Sequence, residues 1–106
     1  MSLSPPEELK SKKFFAIAEL KAAEGKADEV QKYLSKILQE ANSKEPGTLT
    51  YRTTRGVGSD SDKFTVIEEY LDKGALDQHL QSQAFKDFFA SGTLADVTCV
   101  FREEFQ

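Results

Sequence analysis

Residues Thr48 to Leu71 read TLTYRTTRGVGSDSDKFTVIEEYL. Thr48, Thr50, Tyr51, Thr53 and Thr54 are β-formers in a run that ends at Arg55. A second β-rich run, Lys63–Leu71, carries Phe64, Thr65, Val66, Ile67 and Tyr70. Between them lies the polar stretch Gly56-Val57-Gly58-Ser59-Asp60-Ser61-Asp62. Two β-runs joined by a Gly/Ser/Asp loop predict a hairpin.

On the N-terminal side of this hairpin, Val30, Tyr33, Leu34, Ile37, Leu38 and Ala41 recur at i, i+3, i+4, i+7, i+8 and i+11. That spacing is one face of a helix. Asp28 and Glu29 suit the positive end of its dipole, and Pro46-Gly47 ends it after Asn42 and Ser43 weaken it. Further back, Lys13–Leu20 is a strand with Phe14, Ala16, Ala18 and Leu20 on one face and Phe15, Ile17 and Glu19 on the other. On the C-terminal side, Asp72 can cap a helix in which Leu76, His79 and Leu80 share a face. Ser82 separates a second helical piece bearing Phe85, Phe88 and Phe89, and Gly92 closes it. Val97, Cys99, Phe101 and Phe105 then alternate with Thr98, Arg102 and Glu104 as a last strand.

The order is β-α-β-β-α-β. This is the ferredoxin-like α+β plan, a four-stranded antiparallel sheet with its helices on one face. The expected domain spans residues 13–106, with residues 1–12 as a flexible N-terminal arm. Helices cover one face only, yet both faces of the strands carry large apolar groups: Phe15, Ile17 and Ile67 alternate with Phe14, Ala16 and Val66. An apolar sheet face left in water would be an unusually large patch for a monomer. A second copy packed sheet to sheet about a two-fold axis is the expected solution, and packing by the N-terminal arm is the competing one.

With 106 residues the chain is expected to form a single domain, and 30% charged with 39% hydrophobic residues fits a globular protein. No apolar run approaches the ~20 residues of a membrane span, and the first residues have no signal-peptide core. A net charge of −4 argues against nucleic acid as a partner. The basic cluster Lys10, Lys12 and Lys13 reads as a solvated tail. One cysteine, Cys99, allows no intrachain disulfide and fits a reducing, cytoplasmic setting.

Glu45-Pro46-Gly47 leads into Leu49-Thr50-Tyr51, Val66-Ile67-Glu68-Glu69-Tyr70 follows, then Ala75-Leu76, His79-Leu80, Ser82 and Phe85. This ordered set, spread over residues 13 to 92, resembles the antibiotic biosynthesis monooxygenase (ABM) domain family. The resemblance implies a dimeric α+β barrel and cofactor-independent oxygenation of electron-rich aromatics such as quinols or anthrones. Relatives cleave haem, isomerise small molecules or have no known activity, because one scaffold hosts several chemistries. The chain has no Trp, a departure from oxygenating and haem-degrading relatives that use one in the pocket, and this argues against haem cleavage.

His79, the only histidine, lies on the apolar face of its helix. Histidine ordinarily titrates near pH 6.5, so His79 is a candidate general base; it can equally close the gap between helix and sheet with a hydrogen bond. The resemblance puts Glu68 in the position of the family's strand-three glutamate. If their faces meet, Glu68 would orient His79 and raise its basicity. Glu68 and Tyr70 share a strand face, as do Tyr51 and Arg55, and a phenol with a guanidinium could hold a phenolate or carboxylate substrate. Ordinary strand tyrosine and a solvated Arg55 are the plainer reading. Phe85 is an aromatic candidate for a pocket wall. One histidine and one cysteine make no usual zinc site. With no phosphate-binding glycine motif, no metal, nucleotide or flavin is implied.

Two functions from different classes follow. One is a cofactor-free monooxygenase acting on a small aromatic, with His79 and Glu68 catalytic and Tyr51, Tyr70, Arg55 and Phe85 binding substrate. The other is a non-catalytic small-ligand-binding or stress-related barrel. An RNA-binding domain on the same plan would need an open sheet with basic and aromatic residues, and the acidic balance speaks against it.

Overall fold

A computed structural model describes residues 4–106. The predicted hairpin is present: β2 (Thr48–Arg55) pairs antiparallel with β3 (Lys63–Tyr70), placing Tyr51 opposite Glu68, Thr53 opposite Val66 and Arg55 opposite Phe64. β3 also pairs with β1 (Phe14–Ala22), and β1 with β4 (Leu94–Arg102), both antiparallel. The sheet order is β2-β3-β1-β4. The helices are α1 (Ala27–Lys44), α2 (Lys73–Leu80) and α3 (Gln83–Ala90). The architecture is the ferredoxin-like α+β fold expected from the element order, with the second helical segment broken in two. Ser82 makes the break: its Oγ accepts the Phe85 N–H at 3.2 Å and caps α3.

Strand alternation assigns the two sheet faces. Phe14, Ala16 and Leu20 of β1 and Phe64, Val66, Glu68 and Tyr70 of β3 are buried beneath the helices. Against them α1 sets Val30, Leu34, Ile37 and Ala41, the inner part of its predicted stripe. A second cluster lies under α2, where Phe14, Ala16 and Tyr70 meet Ala75 and Leu76. Burying such side chains contributes about 1.5–3 kcal/mol each, the main favourable term for a chain of this size.

The described part of the N-terminal arm packs against the domain. Leu9 is 7% exposed and packs into the α2 cluster. The Lys73 N–H donates to the Lys10 carbonyl at 3.1 Å, and Lys12 pairs with Glu103 at 3.2 Å. The reason is Leu9 itself: one apolar side chain in a polar stretch finds an apolar groove beside Phe14 and Ala75. Residues 5–12 are therefore docked against the domain; residues 1–3 of the predicted arm lie outside the described residues. Leu9 packs on the helix side, so it does not cover Phe15, Ile17 and Ile67, which remain half-buried on the opposite face beside the 41% exposed Val100.

β2 contains a bulge that matters for the site. Thr48 faces Tyr70 and Thr50 faces Glu69, so the register slips by one residue across Leu49. Strict alternation would put Thr48 and Tyr51 on opposite faces. With the extra residue both point toward the helices.

Candidate active site

The site is assembled where α2 crosses the start of β2. Asp72 accepts the Ala75 N–H at 2.9 Å and so fixes the first turn of α2, which turns Leu76 and His79 inward. Gly47 lets the two elements approach: a Cβ there would stand 2.6 Å from the Ala75 Cβ. Its carbonyl accepts the Leu71 N–H at 2.9 Å. This close approach carries Glu45, two residues earlier, under the His79 ring.

His79 Nδ1 lies 2.8 Å from Glu45 Oε1, with the His79 and Glu45 residues 1% and 6% exposed. The same oxygen accepts the Thr48 hydroxyl at 2.9 Å, which is the contact the bulge makes possible. Burial pushes the Glu45 carboxyl up, but its bond to His79, the charge of that ring and the Thr48 hydroxyl outweigh this and hold it below its ordinary value. Glu45 is thus ionised at neutral pH and can only accept. The proton therefore sits on Nδ1, and in neutral His79 the lone pair sits on Nε2. No side-chain hydrogen bond among the described residues engages Nε2.

Three aromatic rings surround His79. Tyr51 is 5.2 Å away between centroids, Tyr70 5.7 Å and Phe85 5.7 Å. The Tyr70 hydroxyl donates to Glu68 Oε1. Burial pushes the Glu68 carboxyl up, against the hydrogen bond from Tyr70 and the charge of His79. Burial, then the charges of Glu68 and Glu45, raise the Tyr51 hydroxyl well above its ordinary value, so it stays a phenol. Cys99 is likewise pushed up to about 11 by burial and by Glu68, which leaves it a thiol rather than a nucleophile.

A cavity of about 40 Å³ opens beside these groups. Tyr51, Glu68 and His79 form its polar end, and Leu76, Phe85, Phe88, Phe89 and Phe101 are among its apolar walls. Most of its surface is carbon, with a few convergent polar atoms, the usual make-up of a small-molecule site.

Tyr51, Glu68, Tyr70, His79 and Phe85 are brought together, with Tyr70 acting through Glu68 rather than lining the cavity. Arg55 is not. It stands four residues from Tyr51, about 13 Å along an extended strand, and pairs with Asp28 at 2.9 Å, Gln31 at 2.8 Å and the Ser61 carbonyl at 2.7 Å. His79 Nδ1 bonds Glu45 and not Glu68, although Glu68 remains close enough to feel the charge of His79. Glu45 was missed because it precedes a turn and shows no strand or helix periodicity. The signal available was its place before Pro46-Gly47. Among the described residues, no group of three or more His, Cys, Asp or Glu is placed to hold a metal ion, and no helix is long and apolar enough to cross a membrane.

The same fold recurs among known proteins. The structure of PA3566 from Pseudomonas aeruginosa is 25% identical, covers 92% of this chain and 98% of its own, and superposes with a TM-score of 0.82. A protein named as a candidate antibiotic biosynthesis monooxygenase from Caulobacter crescentus CB15 is 24% identical over 93% of this chain and 95% of its own, with a TM-score of 0.81. Rv0793 from Mycobacterium tuberculosis has the same fold at 17% identity, over 90% and 97% of the two chains, with a TM-score of 0.77. No curated protein matches the chain by sequence. The family model described as antibiotic biosynthesis monooxygenase matches residues 13–91. The chain belongs to the antibiotic biosynthesis monooxygenase family.

Proposed function

We propose that this protein is a cofactor-independent monooxygenase acting on a small hydroxylated aromatic of the quinol or anthrone type. The observation that carries the reading is His79. It is a buried imidazole with Nδ1–H anchored on an ionised carboxylate and Nε2 unengaged, and it borders an apolar cavity. That is the arrangement of an oriented general base.

In this reading His79 Nε2 takes the hydroxyl proton of a bound hydroquinone. The electron-rich ring then donates electrons to dioxygen, and a ring carbon forms a C–O bond to give a hydroperoxide, protonated by the imidazolium. Loss of water with the ring C–H proton leaves a hydroxyquinone. Hydroquinone plus O₂ becomes hydroxyquinone plus H₂O, so the substrate itself supplies the electrons. Glu45 is the positioning residue, fixing the tautomer and stabilising the imidazolium. Glu68 and Tyr51 offer hydrogen bonds to the substrate oxygen, Tyr70 orients Glu68, and the phenylalanines exclude water. Arg55 has no place in this scheme. The half-buried Phe15, Ile17 and Ile67 support pairing of two copies through the outer sheet face, giving the barrel that the family resemblance implies.

The test is incubation with a hydroquinone and ¹⁸O₂ in the presence of a chelator. One ¹⁸O in the hydroxyquinone and one in water supports the reading, and no labelled product across a panel of hydroquinones and anthrones sinks it. A non-catalytic ligand-binding barrel is the second reading, favoured by the small size of the cavity. It predicts binding of the same molecules without turnover.

A further inference from the structure

The space beside His79 is smaller than an aromatic ring. The cavity is about 40 Å³, whereas an apolar protein cavity that takes up benzene is about 150 Å³. A ring can enter only by displacing a side chain. Of the three rings around His79, Tyr51 and Tyr70 are 8% and 0% exposed, and the Tyr70 hydroxyl is committed to Glu68. Phe85 differs from both. It is half-buried and stacks on Phe89 with centroids 4.4 Å apart and planes inclined by 22°. Phe89 itself is 39% exposed. Phe85 therefore has a solvent-facing neighbour to move against, and its ring carries no hydrogen bond that would be broken. Phe88 is 2% exposed and stacks on Tyr33 of α1 at 5.4 Å, so it anchors α3 and cannot yield without unpacking two helices.

We propose that Phe85 holds the position a substrate ring takes beside His79, and that the Phe85–Phe89 pair selects one-ring hydroxyarenes against fused three-ring ones. This rests on the reading of the cavity as a hydroxyarene site and narrows it. The exchange is ring for ring. When Phe85 turns away, the volume it leaves adds to the existing cavity and admits one hydroxylated ring, whose oxygen meets the polar end formed by Tyr51, Glu68 and His79. A tricyclic ligand needs more room than one phenyl group vacates, and the next wall, Phe88, is fixed.

The experiment is anaerobic titration of the full chain with phenol, 1-naphthol and 9-phenanthrol, followed by NMR shifts of the His79 ring protons. Wild type should bind phenol at least about tenfold more tightly than 9-phenanthrol, and Phe85→Ala should erase that ratio, the size of effect a pocket-shape change usually has. Phe89→Ala, at a part-exposed position, should erode it and serves if Phe85→Ala does not fold. An unchanged ratio in both variants overturns the proposal, as does wild type binding 9-phenanthrol as well as phenol, or no probe moving the His79 resonances. Oxygen uptake measured alongside separates the two claims. A shifted ratio without turnover of any hydroquinone keeps the size filter and rejects the oxygenase. Turnover with an unshifted ratio does the reverse.

Discussion

Replacing Glu45 is the sharpest probe of how the site is held. The carboxylate accepts two hydrogen bonds, from His79 at 2.8 Å and Thr48 at 2.9 Å, in a nearly dry setting. Glu45→Ala removes both and leaves a buried N–H without a partner. Leaving a buried donor without its partner costs about 1–3 kcal/mol; taking about 2 kcal/mol, the melting temperature of a domain this size should fall by roughly 8–16 °C. Glu45→Gln keeps an acceptor oxygen but loses the charge. Charge-assisted bonds are roughly twice as strong as neutral ones, so about half the loss is expected. The pH dependence has a definite sign. Glu45 titrates below its ordinary value near 4.5, so its stabilisation is present above that pH and disappears as pH falls through the lower folded-state value. The gap between wild type and Glu45→Gln should close in the same range. Thermal melts followed by circular dichroism give the stabilities, and ¹⁵N shifts of the imidazole give the tautomer. Glu45→Ala melting within about 0.5 kcal/mol of wild type, the range of an ordinary surface change, would refute the reasoning. So would a wild-type His79 protonated on Nε2 and not on Nδ1.

The other perturbations act on the parts around this pair. Glu68 titrates above its ordinary value, so the folded state loses stability as pH rises from about 4.5 through the higher folded value. Glu68→Gln should therefore gain on wild type across that interval in pH-resolved urea titrations and keep the gain at neutral pH. A constant difference at all pH values would contradict this. Tyr70→Phe strips a donor from a buried carboxyl and should cost about 1–3 kcal/mol in the same assay. Gly47→Ala drives a Cβ into Ala75, and overpacking of this kind costs about 1–3 kcal/mol. It should also weaken the Glu45–His79 bond, visible as a change in the His79 ¹⁵N shifts.

The fold was legible because the deciding signals are local. The α1 stripe from Val30 to Ala41, the turn-joined β-runs of the hairpin, the cap at Asp72 and the break at Ser82 each depend on near neighbours in sequence. The same holds for the apolar face that carries His79. The partner of His79 was not legible, because it depends on a bulge at Leu49 and a close approach at Gly47, and neither leaves a periodic trace. Arg55 was grouped with Tyr51 because alternation reports which face a residue occupies, while distance along the strand decides what it reaches. The docking of the arm turned on one residue, Leu9, whose groove exists only in the folded domain.

In the proposed function His79 is the base of a site that oxygenates without a cofactor. Oxygen consumption on a one-ring hydroquinone, by chelator-treated wild type and His79→Gln in parallel with their thermal melts, tests it most directly. Turnover by wild type is expected, with a loss of about 10²-fold or more in a folded variant, the usual contribution of a general base. Equal oxygen uptake by the two folded proteins would contradict it.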